Sequence, residues 1–308
     1  MQHLLKLFLP ALLCSVSCMP LLAQQPDTAV VIATKTTVAA SATVYAKPKP
    51  FAFITNVPAD VWGISKSPFQ KGGWKGFLAV AVSSAVLIHY DQALLEDAMH
   101  LGRQMDLHAE TDYKVLINIG AKTNGIKIFK VPQNLNSALY TLGEGWIGVA
   151  IGGGFWLQGK LGQNNRSLQT ASDLMEGFLS TAVVTEVIKH ATGRESPFMR
   201  TEPGGKWRPF PSLGEYQKNT PFYDAMPSGH LATMMTTVCI LADDYPEKKW
   251  IKPLGYTLIG LTGFAMMNTE VHWAGDYPLA LAIGWLNGKI ITGRHAHHKQ
   301  AFNPRERL

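Results

Sequence analysis

A short polar stretch, Pro227-Ser228-Gly229-His230, directly precedes an apolar run and has the residue types of an anion-binding helix start. Pro227 and Ser228 favour the beginning of a helix, whose first backbone N–H groups have no partner within the helix and can bind an oxyanion. Gly229 has no side chain that would block a ligand. The imidazole of His230, next to such an anion, could donate or accept a proton near neutral pH. We therefore expect a phosphate-binding site here.

A second histidine, His272, lies four residues before Asp276 in a short polar link between two apolar segments. At a helix start this spacing puts both side chains on one face, so that the carboxylate can accept a hydrogen bond from one imidazole nitrogen. The other nitrogen is then unprotonated and can act as a nucleophile. Lys189 and Arg194, near the end of another apolar segment, could supply positive charge. These residues predict phosphoryl transfer that needs no metal and no other cofactor.

The elements that must position these residues have the apolar pattern of helices rather than of strands. We predict an all-α fold, a helical bundle of about six core helices. One β-hairpin is expected around Asn124-Gly125, which separates two short runs with alternating isoleucines. The long segment 195–226, rich in proline and glycine, is predicted to be a functional or disordered loop. The apolar segments are residues 76–88, 92–105, 134–159, 168–190, 231–242, 250–267 and 277–291.

The ends of the chain differ in composition from the predicted bundle. Residues 1–23 have a positive charge at Lys6, an apolar run and a small residue at the end, the pattern of a secretory signal peptide. We therefore expect an exported protein, either periplasmic or membrane-associated with its site facing the periplasm. Residues 24–58 are predicted to be a low-complexity tether. The helical domain and a basic tail then take residues 59–293 and 294–308.

The overall composition excludes some classes of protein and leaves others open. Hydrophobic residues make up 46% of the chain and charged residues 16%, which excludes a disordered protein. The net charge of +6 suits an anionic ligand or a membrane surface, but no basic stripe indicates a nucleic-acid partner. Two apolar segments are interrupted by acidic residues, which are Glu144, Glu176 and Glu186. A charged side chain within a lipid bilayer has a high free energy unless it faces the interior of the bundle. The sequence is compatible with a soluble bundle and with a membrane-seated one, and its oligomeric state is open.

Three segments together resemble the signature of the type 2 phosphatidic acid phosphatase superfamily, which includes bacterial acid phosphatases and vanadium haloperoxidases. The segments are Lys189 to Pro197, Pro227 to His230, and His272-Trp273-Ala274-Gly275-Asp276. Their order, spacing and helical setting are similar to the family's across residues 74–292. The middle segment and the His-x-x-x-Asp pattern are specific when they occur together.

Two arginine positions of this family are filled by other residues in the chain. The family's first segment has a lysine, six residues and then Arg-Pro, whereas here Ser196 precedes Pro197. The family's third segment begins with Ser-Arg upstream of the histidine, and these positions are Ala265 and Met266 here. Cations near the first position, which could replace its arginine, are Arg194, Lys206 and Arg208.

The resemblance implies a role for each matching residue. His272 would attack phosphorus while Asp276 holds it, and His230 would protonate the leaving oxygen and then activate water. The phosphate-binding residues implied by the resemblance or by proximity are Lys189, Ser228, Gly229, Arg194 and Ser196.

The implied activity is that of an exported, metal-independent phosphatase, a phosphoric ester hydrolase that forms a phosphohistidine. Its substrates would be phosphate monoesters or diphosphates, and the apolar bundle favours a lipid. Two alternatives stay open. The chain could be a catalytically silent relative that binds an anionic lipid or another partner, or a vanadium-dependent haloperoxidase, because vanadate can occupy the same kind of site.

Overall fold

The computed structural model describes residues 45–107, 109–119 and 126–296. The predicted signal peptide and residues 297–308 of the predicted tail lie outside the described residues. The helices are α1 Ala52–Thr55, α2 Val57–Lys66, α3 Gly73–Gln104, α4 Leu135–Thr141, α5 Gly145–Leu161, α6 Asn165–Thr192, α7 Leu213–Lys218, α8 Gly229–Asp244, α9 Ile251–Asn268 and α10 Tyr277–Ala296, and the strands are β1 Tyr113–Ile119 and β2 Ile126–Pro132. Short 3-10 turns lie at Ser67–Phe69, Pro197–Met199, Thr220–Phe222 and Ala274–Asp276.

The predicted all-α bundle is confirmed. Its long helices are α3, α5, α6, α8, α9 and α10, and the two apolar segments 76–88 and 92–105 form the single helix α3. The predicted hairpin is also present, since β1 pairs antiparallel with β2 and Tyr113 lies opposite Pro132. The Asn124-Gly125 turn itself lies outside the described residues.

Helix α6 brings Lys189 to the site because its ends are set by local sequence signals. At its start, the Asn164 side chain accepts a hydrogen bond from the backbone N–H of Ser167, at 3.3 Å. At its end, Gly193 has a φ of 54°, in the left-handed region that glycine adopts without strain. Lys189 therefore lies in the last turn of the helix.

Helix α8 is the central helix of the bundle and packs against α10, α6 and α9. Its side chains at Leu231, Met235 and Ile240 are buried, and the first two belong to the main core with Leu95 of α3 and Phe264 of α9. Burial of such side chains is the main source of stability of the bundle. The site residues at the start of α8 are thus attached to the most rigidly packed helix.

Helices α8 and α10 cross at two glycines one turn apart on α10. A Cβ at Gly284 would lie 2.3 Å from the carbonyl oxygen of Ala232, and a Cβ at Gly288 would lie 2.5 Å from Cβ of Cys239. Both distances are shorter than a van der Waals contact, so the close approach depends on the absence of these side chains.

The structure corrects the predicted boundaries at both ends of the domain. The part of the predicted tether from Ala52 onward is helical, and the Asn56 side chain donates a hydrogen bond to Glu176 at 2.9 Å. Arg294, the first residue of the predicted tail, belongs to α10 and makes ion pairs with Asp60 and Glu176. These two carboxylates are buried and require a counter-charge, which fixes the terminal segments to the bundle.

One face of α3 is apolar and exposed to solvent. Trp74 and Phe77 are each 57% exposed, and Val82 is 54% exposed. By length and composition, α3 is the one helix in the described part of the chain that could cross a membrane.

We predict that Gly284→Ala destabilises the protein, since the new methyl group would overlap Ala232 and also lie 2.8 Å from Cβ of Met235. The free energy of unfolding should fall by about 1–3 kcal/mol, measured by denaturant titration. Gly293→Ala on the same helix is the control, because no described atom lies within 4 Å of its new Cβ. Equal stability of the two variants would contradict this account of the crossing.

Candidate active site

Ser228 caps α8 and links the two histidine-bearing segments. Its buried Oγ accepts a hydrogen bond from the backbone N–H of Leu231 at 3.5 Å. Its own backbone N–H donates to the carbonyl oxygen of Asp276 at 3.4 Å. Gly229 and His230 are the first residues of the helix, so the N–H groups of its first turn open toward the site.

The structure brings the rings of His230 and His272 next to each other. Their ring centroids are 5.9 Å apart, and the ring planes are inclined at 73°. On its other side His230 packs against the ring of Tyr140, with 5.0 Å between centroids. Gly143 makes room for it, because a Cβ there would lie 2.9 Å from Cβ of His230. The two imidazoles therefore line one site, although 41 positions of chain separate them.

A backbone carbonyl, more than Asp276, sets the orientation of His272. The Nδ1 atom lies 2.8 Å from the carbonyl oxygen of Ala225, which can only accept, so Nδ1 carries the proton. The nearest oxygen of Asp276 is 3.4 Å from the same nitrogen. The sequence predicted a direct hydrogen bond to Asp276; the structure gives the shorter contact to Ala225 and leaves Asp276 as a nearby charge. Either way the Nε2 atom is free to act as a nucleophile.

Asp276 closes the turn that holds His272. Its Oδ2 accepts a hydrogen bond from the backbone N–H of Trp273 at 2.8 Å. Its Oδ1 accepts from Nη1 of Arg194 at 2.7 Å. With both oxygens bound and no exposure to solvent, this carboxylate has a fixed position beneath the histidine.

Arg194 has a different role from the phosphate contact that we expected. It is fully buried, its Nη2 lies 2.5 Å from Oδ2 of Asp91, and its guanidinium carbon lies 4.9 Å from the ring centroid of Trp207. A buried guanidinium pairs with the nearest buried carboxylates, which here are Asp91 and Asp276. Arg194 therefore positions the site rather than binding phosphate.

Asp91 is a site-supporting residue that the sequence analysis missed. This buried residue of α3 accepts a hydrogen bond from the backbone N–H of Gly275 at 2.8 Å, in addition to its ion pair with Arg194. It thereby fixes the turn between His272 and Asp276 to α3. The available signal was a single carboxylate between the two apolar halves of α3.

Lys189 lies over the start of α8. Its Nζ is 3.8 Å from the point that a Cβ on Gly229 would occupy, so the glycine leaves ligand space beside the ammonium group. The same Nζ lies 3.8 Å from Oδ2 of Asp224 and 3.5 Å from Oε1 of Glu186. Lys189 is therefore a cation at the site that already has acidic neighbours.

Asp224 is the second residue that the sequence analysis missed. Ser196, at the first family arginine position, is buried and donates from its Oγ to Oδ1 of Asp224 at 3.3 Å. Asp224 and Ala225 both belong to the long loop 195–226, which thus contributes a carboxylate and a carbonyl to the site. A loop residue of this kind has no local motif that could reveal its contacts.

Met266 occupies the second family arginine position and lies at the site. It is fully buried, and its Sδ is 3.8 Å from Oγ of Ser228. Arg208, considered above as a replacement cation, is bound elsewhere, since both its terminal nitrogens lie 3.2 Å from Oε1 of Glu195. Lys206 is exposed. An apolar thioether therefore stands where the family has a guanidinium.

His230 is held neutral by its surroundings. Burial lowers its pKa to about 3, with further lowering by the nearby charges of His272 and Lys189. A bound anion would favour the protonated imidazole and raise this pKa. His230 can thus gain a proton when a phosphoryl group binds, as a general acid must.

The described residues contain no group of three or more His, Cys, Asp or Glu side chains that could hold a metal ion. What they do combine is a nucleophilic imidazole, a second imidazole for proton transfer, a lysine and a helix start. This arrangement can attack a phosphorus centre and stabilise the resulting charge.

Comparison with known proteins gives one match. No curated protein and no solved structure is significantly similar to the chain. The family model described as PAP2 superfamily matches residues 171–298. That span contains Lys189, the Ser228–His230 helix start and the turn from His272 to Asp276, whereas Asp91 lies before it. The match agrees, over this segment, with the resemblance of the sequence to the type 2 phosphatidic acid phosphatase superfamily.

Proposed function

We propose that the protein is a phosphoric ester hydrolase that works through a phosphohistidine at His272. The observation that carries this proposal is the pair of neighbouring imidazoles, His230 and His272, beside a helix start, with Nδ1 of His272 bound to a backbone carbonyl so that Nε2 is left for the reaction. The match of residues 171–298 to the PAP2 superfamily model supports phosphatase chemistry in general.

In the first step, Nε2 of His272 forms a bond to phosphorus while the bond from phosphorus to the leaving oxygen breaks. The leaving oxygen takes the proton from His230. Lys189, the Ser228 hydroxyl and the Gly229 N–H stabilise the charge on the remaining phosphoryl oxygens.

In the second step, His230 takes a proton from water as the water oxygen attacks phosphorus and the N–P bond breaks. This step restores neutral His272 and releases the phosphoryl product. The nucleophile, the acid and the charge-stabilising groups all come from the chain, so the proposed reaction uses no metal.

We also propose that the enzyme is exported, works at a membrane with its site facing the periplasm, and acts on a lipid. The exposed apolar face of α3, with Trp74 and Phe77, would contact lipid. Lysines gather at the end of the bundle away from the site, where an anionic surface would attract them. Three of them are Lys248 and Lys249, between α8 and α9, and Lys252, in the first turn of α9.

The first prediction concerns the nucleophile. His272→Ala should lower phenol release from phenyl phosphate and from methyl phenyl phosphate by at least about a thousandfold, because no other described group can attack phosphorus from this position. His190→Ala is the matched control: this histidine packs on Tyr216, outside the site, and the variant should keep most of its activity. Similar rates for the two variants, with circular dichroism unchanged, would rule out His272 as the nucleophile.

The second prediction concerns pH. Because burial lowers the pKa of His230 to about 3, the protonated fraction of this residue grows as pH falls toward that value. The ratio of kcat/KM between wild type and His230→Asn should therefore rise about tenfold for each unit of pH lowered between about 6 and 4. Methyl phenyl phosphate is the substrate for this measurement, since its single charge does not titrate in this range. A ratio that stays flat or increases with pH would be inconsistent with general acid catalysis by His230.

The third prediction concerns the support of the turn. Asp91→Asn should lower kcat about 10- to 100-fold with little change in KM, because Asp91 holds Gly275 and Arg194 rather than the substrate. Glu96→Gln, an exposed change on the same helix, should leave both constants unaltered. A rise in KM alone for Asp91→Asn would indicate a role in binding instead.

A further inference from the structure

We infer that this pocket selects a phosphoryl group with a single negative charge, as in a phosphodiester, over the doubly charged group of a phosphate monoester. The inference rests on the proposed function and narrows its substrate class. A phosphodiester differs from the substrates that the resemblance implied, which are phosphate monoesters or diphosphates.

The supply of positive charge at the site is small. The sequence places four cations near it. Arg194 is fully buried and bound to two carboxylates, Arg208 is bound to Glu195, and Lys206 is exposed. The ammonium group of Lys189 lies next to the space beside Gly229. A doubly charged phosphoryl group would therefore meet one ammonium group rather than several guanidinium groups.

A carboxylate faces that ammonium group. Asp224 has one oxygen 3.8 Å from Nζ of Lys189 and the other 3.3 Å from Oγ of Ser196. Where the family has an arginine, this chain thus has a hydroxyl group that binds an acid. An anion seated beside Lys189 is repelled by Asp224, and Coulomb's law makes this repulsion twice as large for two charges as for one.

Met266 places an apolar group beside Ser228. Its thioether lies against the Ser228 hydroxyl and cannot donate a hydrogen bond to a charged oxygen. A charged oxygen placed there would lose water without gaining a partner, whereas the carbon substituent of an ester would gain a packing contact. Of the two ester classes, only a diester retains such a substituent after its leaving group departs.

The formal charges around the pocket leave no excess of positive charge. The buried group of Asp91, Arg194 and Asp276 sums to one negative charge. Lys189 has two acidic neighbours, Asp224 and Glu186, so it adds no excess of positive charge. Cleavage of a diester by the two steps above releases one alcohol and a monoester. The monoester is doubly charged near neutral pH, so it would leave the site and would not be cleaved again.

The test compares two substrates with the same leaving group at pH 8, where phenyl phosphate carries two charges and methyl phenyl phosphate one. The wild-type enzyme should release phenol from the diester with a kcat/KM at least about tenfold higher, and methyl phosphate rather than inorganic phosphate should accumulate. Calorimetric titration, which requires no turnover, should show tighter binding of dimethyl phosphate than of methyl phosphate.

Two variants should change this preference in a known direction. Asp224→Asn removes the opposing charge, and Met266→Arg adds a cation next to Ser228. Each should shift the ratio of kcat/KM toward the monoester by at least about tenfold. Glu247→Gln removes the same charge as Asp224→Asn but just beyond the far end of α8, and it should leave the ratio unchanged.

Tighter binding of methyl phosphate than of dimethyl phosphate would overturn the inference, and so would ratios that do not move in either variant. If the protein hydrolyses neither substrate, the proposed function fails. The order of the two affinities in calorimetry would still decide the charge preference.

Discussion

The position of the candidate nucleophile depends on one buried guanidinium. Arg194 joins Asp276, in the turn that carries His272, to Asp91 on α3, and none of the three side chains is exposed to solvent. Two buried carboxylates without a cation between them would cost several kcal/mol each. Arg194 therefore holds three segments together: its own segment, the turn that carries His272, and α3. Because its guanidinium is bound to both carboxylates, Arg194 is not available to a ligand.

The burial of Arg194 lowers the positive charge that the site can offer to an anion. Positive charge that would otherwise face an anion is buried, and the family's arginine positions hold Ser196 and Met266. The electrostatic stabilisation left at the site comes from Lys189 and the start of α8, and Asp224 opposes it. The site still has its nucleophile, His272, and its acid, His230. The distribution of charge therefore affects which phosphoryl group binds more than it affects whether the reaction can occur.

The sequence predicted the parts of the molecule that local patterns determine. Apolar periodicity indicated the long helices, Pro227 and Ser228 marked the start of one of them, and the pattern of two histidines indicated which segments form the site. The sequence could not predict the role of Asp91, because that residue acts through a hydrogen bond with Gly275, which lies 184 positions away in the chain. For the same reason Arg194 was assigned to phosphate: spacing shows that a cation is near, but only the fold shows which carboxylates reach it first.

The central claim is that Nε2 of His272 forms a covalent bond to phosphorus during turnover. The most direct measurement is mass spectrometry of peptides from enzyme quenched in alkali within the first turnovers of phenyl phosphate or methyl phenyl phosphate. Our account predicts an acid-labile phosphoryl adduct on the peptide that contains His272. A phosphoryl adduct on a different residue, or turnover without any adduct on His272, would contradict it.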